Sequence, residues 1–436
     1  MDSQAQEGTT SQSSEIFTYL LTRPVSLFFQ TSYQPSFVPH GADSLYVATP
    51  ALSAQSGVQV IDLYAAADKA NVIVTGGVSK TVGAAGGYSL GGGHGPLGPL
   101  HGLAVDNILE MTVVLHDGSI VKASAFSHPK LFTALRGGGS AFGAVVEIVY
   151  KAHSPPTDGF IGVLGEFSLV SNATDPIGAW KSLMREWINI QPALSNSGFS
   201  GYSYVQAKLS SAATPFAYVL PTSANATLTT ARASFQPFLD FVAQQPDIKF
   251  EVDFVQESTW YKLWSGAFTD ALDSLDAVGI NLLLGSRLVP RTVVEENGDG
   301  LADFISSAAS PSIVHVVAGG AVSKEPYFPT SVNPKWREAL LHIDLPVSWG
   351  YEAPLAAIKG LQTYLTGHTL ALGALCKFAD GVEGSYPSES DWNEAEWQNI
   401  WYGKENYAKL IETKEKYDPH GLFSGRKVPG SEFVGY

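Results

Sequence analysis

Cysteine is almost missing: Cys376 stands alone among 436 residues. A single thiol excludes an intrachain disulfide and a cysteine-based metal cluster. Basic blocks are missing too. The chain carries 26 Lys and Arg against 41 Asp and Glu, a formal net charge of −15. It therefore lacks the electrostatic footprint of a nucleic-acid binder and suits an anionic membrane surface poorly. Long apolar runs are absent. Ile16 to Phe29 comes nearest, but Arg23-Pro24 interrupts it and only Asp2, Glu7 and Glu15 supply charge before it. Such a stretch is neither a bilayer span nor a secretory signal, which wants a basic lead. The chain as written reads as soluble and without a signal peptide, its compartment left open. Asn172-Ala173-Thr174 and Asn225-Ala226-Thr227 match the glycosylation triplet, which often arises by chance. The 10 histidines are scattered, and none forms an H-x-x-x-H or H-E-x-x-H pair, so no metal site is expected.

What is present is ample folding material, 45% hydrophobic against 15% charged, in a chain too long for one ordinary core. Two domains are expected. Met1 to Ser14 is polar and reads as disordered. From Leu27 to Lys151, short β-like runs alternate with glycine-rich turns. Ile108–Leu115 and Ser119–Ala123 flank His116-Asp117-Gly118, a hairpin signal. Pro129 opens a short helix over Lys130–Leu135, and Phe142–Tyr150 returns as a β-branched strand. The paired prolines of His153-Ser154-Pro155-Pro156-Thr157 mark a boundary. Beyond it, helices near Ile177–Ile190, Leu228–Gln244 and Leu355–Leu365 alternate with strands at Gly201–Gln206, Ile280–Leu284 and Ile313–Ala321. That alternation suits an open sheet covered by helices. A last helix, Glu405–Tyr417, stops at Asp418-Pro419.

The densest signal lies between. Half of the residues from Gly83 to Gly98 are glycine, against an average usage of about 7%. Glycine lets backbone pass close to a ligand and aims successive N–H groups inward, which suits a flat ring and a pyrophosphate. A flexible surface loop is the alternative reading. Gly93-His94-Gly95-Pro96-Leu97-Gly98 satisfies G-x-G-x-x-G, but Pro96 and Pro99 bracket the place where the required helix should begin. A nicotinamide dehydrogenase is therefore not expected.

Taken in order, Thr81-Val82-Gly83, Gly91-Gly92-Gly93-His94-Gly95, Gly102-Leu103-Ala104-Val105-Asp106-Asn107, Leu131 to Gly139, and Phe142-Gly143-Ala144-Val145-Val146 resemble a known flavin domain. It is that of the berberine-bridge-like FAD-linked oxidoreductases, in the vanillyl-alcohol oxidase or PCMH-type superfamily, and the likeness is closest to fungal-type members. Trp401 to Tyr407 and Lys416 to Phe423 resemble the same family's closing segment. The resemblance implies an α+β fold. A flavin domain is assembled from both chain ends, with an α+β substrate domain, an antiparallel sheet covered by helices, inserted between. The implied division is a divergent tail 1–26, a flavin region 27–153, a substrate region 154–375 and a returning segment 376–436. By that likeness Val82, Gly83, Gly86, Gly87, His94, Asp106, Asn107, Gly139, Gly143 and Val145 line the FAD, and Tyr402 and Asn406 close over it. Asp106-Asn107 read alone could be a turn, and Tyr402 a core aromatic.

The chain departs from that family in two places. Relatives that hold the flavin covalently use a histidine in an Arg-x-x-Gly-Gly-His-type loop and a cysteine before the Thr-Val-Gly. Here the only histidine before His94 is His40, and Ser79 stands at the cysteine position. Non-covalent FAD is therefore expected. The family's front strands and pyrophosphate loop also have no counterpart before Phe28. Losing two charge-assisted bonds to phosphate weakens FAD binding roughly 100- to 10,000-fold, unless another surface compensates. The resemblance implies hydride transfer from a small organic molecule to flavin N5, with O2 as reoxidant and a base near Gly384 to Glu389. Tyr386 is the first candidate and Glu389 the second. A monomer of specialised metabolism is expected; a flavin-free binding protein is the alternative.

Overall fold

The computed structural model describes residues 29–206, 216–224, 226–268 and 280–433. The expected tail 1–26 and Asn225 lie outside the described residues. The chain builds two antiparallel sheets. Five strands form the first: β1 (Thr31–Phe37), β2 (Thr49–Gln55), β3 (Ile108–Val114), β4 (Ile120–Ser124) and β5 (Ala144–Lys151). Their order is β1-β2-β5-β3-β4. The predicted hairpin is present. Asp117 Oδ1 accepts from the Ser119 amide at 3.0 Å and Gly118 takes φ +79°, a turn backbone that favours glycine.

The second sheet has seven strands: β6 (Phe160–Leu169), β7 (Ser200–Gln206), β8 (Phe216–Ser223), β9 (Ile248–Glu257), β10 (Asn281–Pro290), β11 (Ser312–Val316) and β12 (Ala339–Trp349). The order is β10-β12-β11-β7-β8-β6-β9. β11 is shorter than Ile313–Ala321 because Gly319 and Gly320 turn the chain at φ +81° and +54°. β12 shows why this sheet has two unlike faces. Leu341, Ile343, Leu345 and Val347 alternate with His342, Asp344, Pro346 and Ser348, and successive side chains point to opposite faces.

The apolar face packs under the helices α4 (Pro176–Asn196), α5 (Leu228–Ala243), α6 (Arg291–Ser307) and α7 (Leu355–Leu375). Trp187, Phe235, Leu301 and Leu372 are all buried there, each large apolar side chain contributing roughly 1.5–3 kcal/mol. The predicted helix at Leu355–Leu365 runs ten residues further, to Leu375. The polar face looks toward the first sheet's glycine loops. Outside that covering layer lie, among others, the helices α1 (Val60–Lys69), α2 (Gly87–Gly91) and α3 (Pro129–Leu135).

The C-terminal helix α8 (Lys404–Tyr417) returns to α3. Lys414 anchors it, its Nζ donating to Ala141 O at 2.7 Å and pairing with Asp418 at 2.5 Å. The described C-terminal segment thus returns to the helix that follows the first sheet's β4, in keeping with the α+β fold expected above. Among the described residues no helix is long and apolar enough to cross a membrane.

Candidate active site

Glycine conformation sets the position of His94. Gly92 and Gly93 take φ +140° and +71°, and their carbonyls accept from Val105 N at 3.1 Å and Ala104 N at 2.8 Å. Tyr88 Oη donates to His94 O at 2.9 Å. This pinned turn drives the His94 ring, buried to 7% side-chain exposure, toward the polar face of the seven-stranded sheet.

Two strand histidines meet it there. His315 of β11 sits directly opposite His342 of β12 in register, their ring centres 5.1 Å apart. His94 lies 5.1 Å from the His315 ring and 5.2 Å from that of His342. Glu389 completes the group from the 3₁₀ turn Pro387–Glu389, its Oε2 2.8 Å from His94 Nε2. Asp344, two residues along β12, lies 3.2 Å from His342 Nε2 and donates a hydrogen bond to Glu389.

Electrostatics within the cluster run in opposite senses. Burial, then the charge of Glu389, raise Asp344 well above the carboxylate range. Burial also raises Glu389, but His94, through charge and hydrogen bond, brings it below its ordinary value. His315 and His342 are held well below the imidazole range by burial first and by His94 second. One carboxyl is thereby kept protonated and its neighbour ionised. Despite the short distances, both nitrogens of His315 and His342, His94 Nδ1 and Asp344 Oδ1 find no aligned hydrogen-bond partner within the protein. Buried polar atoms left unpaired cost about 1–3 kcal/mol each, so this set is expensive as it stands.

His94, His315, Asp344 and Glu389 of the cluster line a cavity of about 390 Å³ together with Val78, Ser79, Val82, Tyr88, Tyr202 and Ile313. A second cavity of about 260 Å³ is lined by Gly87, Gly91, Gly139, Ser388 and Tyr402.

Comparison with known proteins decides the family. Residues 45–124 match the model of the FAD binding domain, and residues 378–427 that of berberine and berberine-like proteins. An uncharacterized FAD-linked oxidoreductase of Arthroderma benhamiae is 32% identical over 92% of this chain and 68% of its own length. The chain belongs to the berberine-bridge-like FAD-linked oxidoreductases. Among solved structures, the VAO-type flavoprotein MtVAO615 of Myceliophthora thermophila shares the fold at a TM-score of 0.78 and 24% identity, over 93% of this chain and 70% of that one. A glucooligosaccharide oxidase of Acremonium strictum, described for a novel flavinylation, aligns at a TM-score of 0.70 and 19% identity, over 93% and 80%. The chain spans about two thirds of the length of its curated relatives.

The residues of this FAD-linked oxidoreductase fit its cofactor on a simple test. At Gly83, Gly86, Gly87 and Gly139, an added Cβ would meet nothing within 4 Å. These are open faces, two of them on a cavity wall, of the kind a flat ring or a phosphate can approach. Val82, His94 and Tyr402 also line a cavity.

The other expected FAD residues have protein partners. Asp106 holds Arg337 bidentately at 2.7 and 2.8 Å and accepts from Leu103 N at 2.9 Å. Asn107 donates to His101 O and Leu103 O and meets His153 at 2.7 Å. Gly143 packs against Val113, Val145 pairs with Val113 in the sheet, and Asn406 donates to Val332 O.

Of the two candidate bases, Tyr386 is buried, its hydroxyl donating to Tyr88 O at 3.0 Å and raised by burial, whereas Glu389 faces the larger cavity. His315, His342 and Asp344 were not among the expected site residues. The strict alternation across Leu341 to Trp349 was the signal that could have found β12 and its polar row. Sequence spacing suggested no metal site; folding nonetheless brings three histidines and Glu389 together.

Proposed function

We propose that this chain holds FAD non-covalently and oxidises a flat, largely apolar small molecule that carries a hydroxyl group. One observation carries the reading: Gly87 and Gly139 present open faces to a cavity shared with Tyr402, while Val82 and Tyr88 of the same glycine-rich segment line the larger cavity together with His94 and Glu389. Bound FAD supplies the acceptor for a hydride equivalent, with O2 as the final oxidant in the manner of the neighbouring oxidases. The glycine faces and Tyr402 would hold the cofactor. Tyr88, Tyr202 and Ile313 line the larger cavity with aromatic and aliphatic surface, which favours a planar guest over a sugar. Glu389, kept ionised against His94, is the proton acceptor for the hydroxyl. Tyr386 is assigned a supporting role, packed against Gly91 and Gly92. A place in specialised metabolism follows from the proposed substrate type.

Ser79 lies on the cavity wall where covalent relatives are expected to carry cysteine, and its hydroxyl cannot make that thioether. The test is an absorbance spectrum after incubation with FAD and desalting, followed by acid precipitation. Flavin bands that move to the supernatant support the reading. A yellow pellet overturns non-covalent binding, and a colourless protein overturns the cofactor itself.

A further inference from the structure

Three buried imidazoles and a carboxylate that converge with unpaired nitrogens form a donor set without an acceptor. The ligand atoms of His94, His315, His342 and Glu389 all lie within 4.8 Å of one another. Among the described residues no other set of three metal-ligating side chains does so. Neither nitrogen of His315 or of His342 has a hydrogen-bond partner within the protein, so one lone pair on each ring is available to an ion.

We infer that His94, His315, His342 and Glu389 form a binding site for a divalent cation of the zinc class. The chemistry of the donors selects it: imidazole suits zinc and its first-row neighbours, whereas magnesium and calcium prefer an all-oxygen shell. The side chains must draw inward to bind. Zn–N bonds run to about 2.1 Å, so the ligands of a tetrahedral ion stand roughly 3.4 Å apart; the ligand atoms, now within 4.8 Å of one another, close by up to about 1.4 Å, and His94 Nε2 and Glu389 Oε2 already stand at 2.8 Å. Asp344 stands behind two of the rings, Oδ1 3.2 Å from His342 Nε2 and Oδ2 3.6 Å from His315 Nε2; ionised beside a bound cation, it would turn to accept from those nitrogens as the outer shell. Glu389 is the most exposed ligand, at 24%, so the ion is reached from the cavity side. There it can take an oxygen of the substrate as a further ligand. That last role rests on the oxidoreductase reading, in which Glu389 and His94 would then act through the ion; the ion site itself does not.

The probe is Co2+, added to the chelator-treated full chain, with and without FAD. Saturable uptake at one ion per chain, with visible ligand-field bands, is the expected result. Zn2+ should displace it and erase the bands. His315→Gln and His342→Gln should each abolish stoichiometric uptake, and Asp344→Asn should weaken it about 10- to 100-fold. Far-ultraviolet circular dichroism establishes that each variant is folded, and Glu389→Gln, on the open side, covers the case in which a strand variant is not. Absent uptake, or uptake unchanged in His315→Gln and Glu389→Gln, overturns the site. A chain that takes up FAD but no Co2+ sinks the ion and leaves the flavin reading standing. Co2+ bound through these residues without FAD uptake does the reverse.

Discussion

Two sets of glycines in the same loops answer to different demands. Gly83, Gly86, Gly87 and Gly139 face open space. At Gly95 an added Cβ would fall on the Gly76 carbonyl oxygen, at Gly137 on the Val332 amide, and at Gly138 on Ala134 O and Leu410. The first set leaves room for a ligand, and the second lets backbone segments touch each other. Polar residues divide in the same way. Asp106 is spent on Arg337, while Glu389 faces the cavity. A glycine-rich or acidic stretch therefore marks close approach without saying to what.

The largest way to sharpen that contrast is Asp106→Ala. It strands a buried guanidinium, so unfolding free energy should drop by about 3–5 kcal/mol in a urea titration. An effect on flavin uptake alone, with stability intact, would return Asp106 to the cofactor. Next comes Gly95→Ala, where the new methyl meets backbone that cannot rotate away. A loss of about 1–3 kcal/mol or more is expected in the same titration.

The scaffold side also has a pH signature. His101 and His153 stack with ring centres 3.9 Å apart, and burial, helped by charges nearby, lowers them from 6.5 to about 4 and about 3. Both stay neutral in the fold, so their contribution is complete above pH 6.5. It is lost as pH falls toward 4, because the unfolded chain takes up protons that the folded one refuses. From pH 6.5 to 5 each should cost about 2 kcal/mol, and His101→Gln should flatten that slope. The smallest effect on stability belongs to Gly87→Ala. It opens α2 with ordinary helical backbone, so unfolding should change by about 1 kcal/mol or less. Flavin retention on desalting should fall all the same; unchanged retention would place the cofactor elsewhere.

How much of this was legible depended on sequence distance. Local signals carried the hairpin at His116-Asp117-Gly118, the helix opened by Pro129 and the close approaches of backbone at the glycine-rich segment, because turns, caps and close approaches are encoded by neighbours. The Asp106-Asn107 pair was legible as a turn through its bonds to His101 and Leu103, but not in those it makes to Arg337 and His153, 231 and 46 residues away. The ionisable cluster was not legible. His94 and Glu389 are 295 residues apart, and His315 meets His342 across a ladder instead of along a helix. Motifs that place ligands four residues apart cannot see strands paired by tertiary folding. His342 and Asp344 were hidden further by a strand overlooked despite its alternation.

The ladder that aligns His315 with His342 has a consequence for how the protein is made. β11 carries its histidine between β12 and the much earlier β7, whose Tyr202 also pairs with His315. A slip of one residue in β12 would swing His342 and Asp344 under the helices and put Leu341 and Ile343 into the cavity. Such distant pairings are slow to find. During refolding, helical signal should return first, and the cluster only when β11 has closed the gap. Its ability to capture an ion would then serve as a clock hand for the last strand to dock.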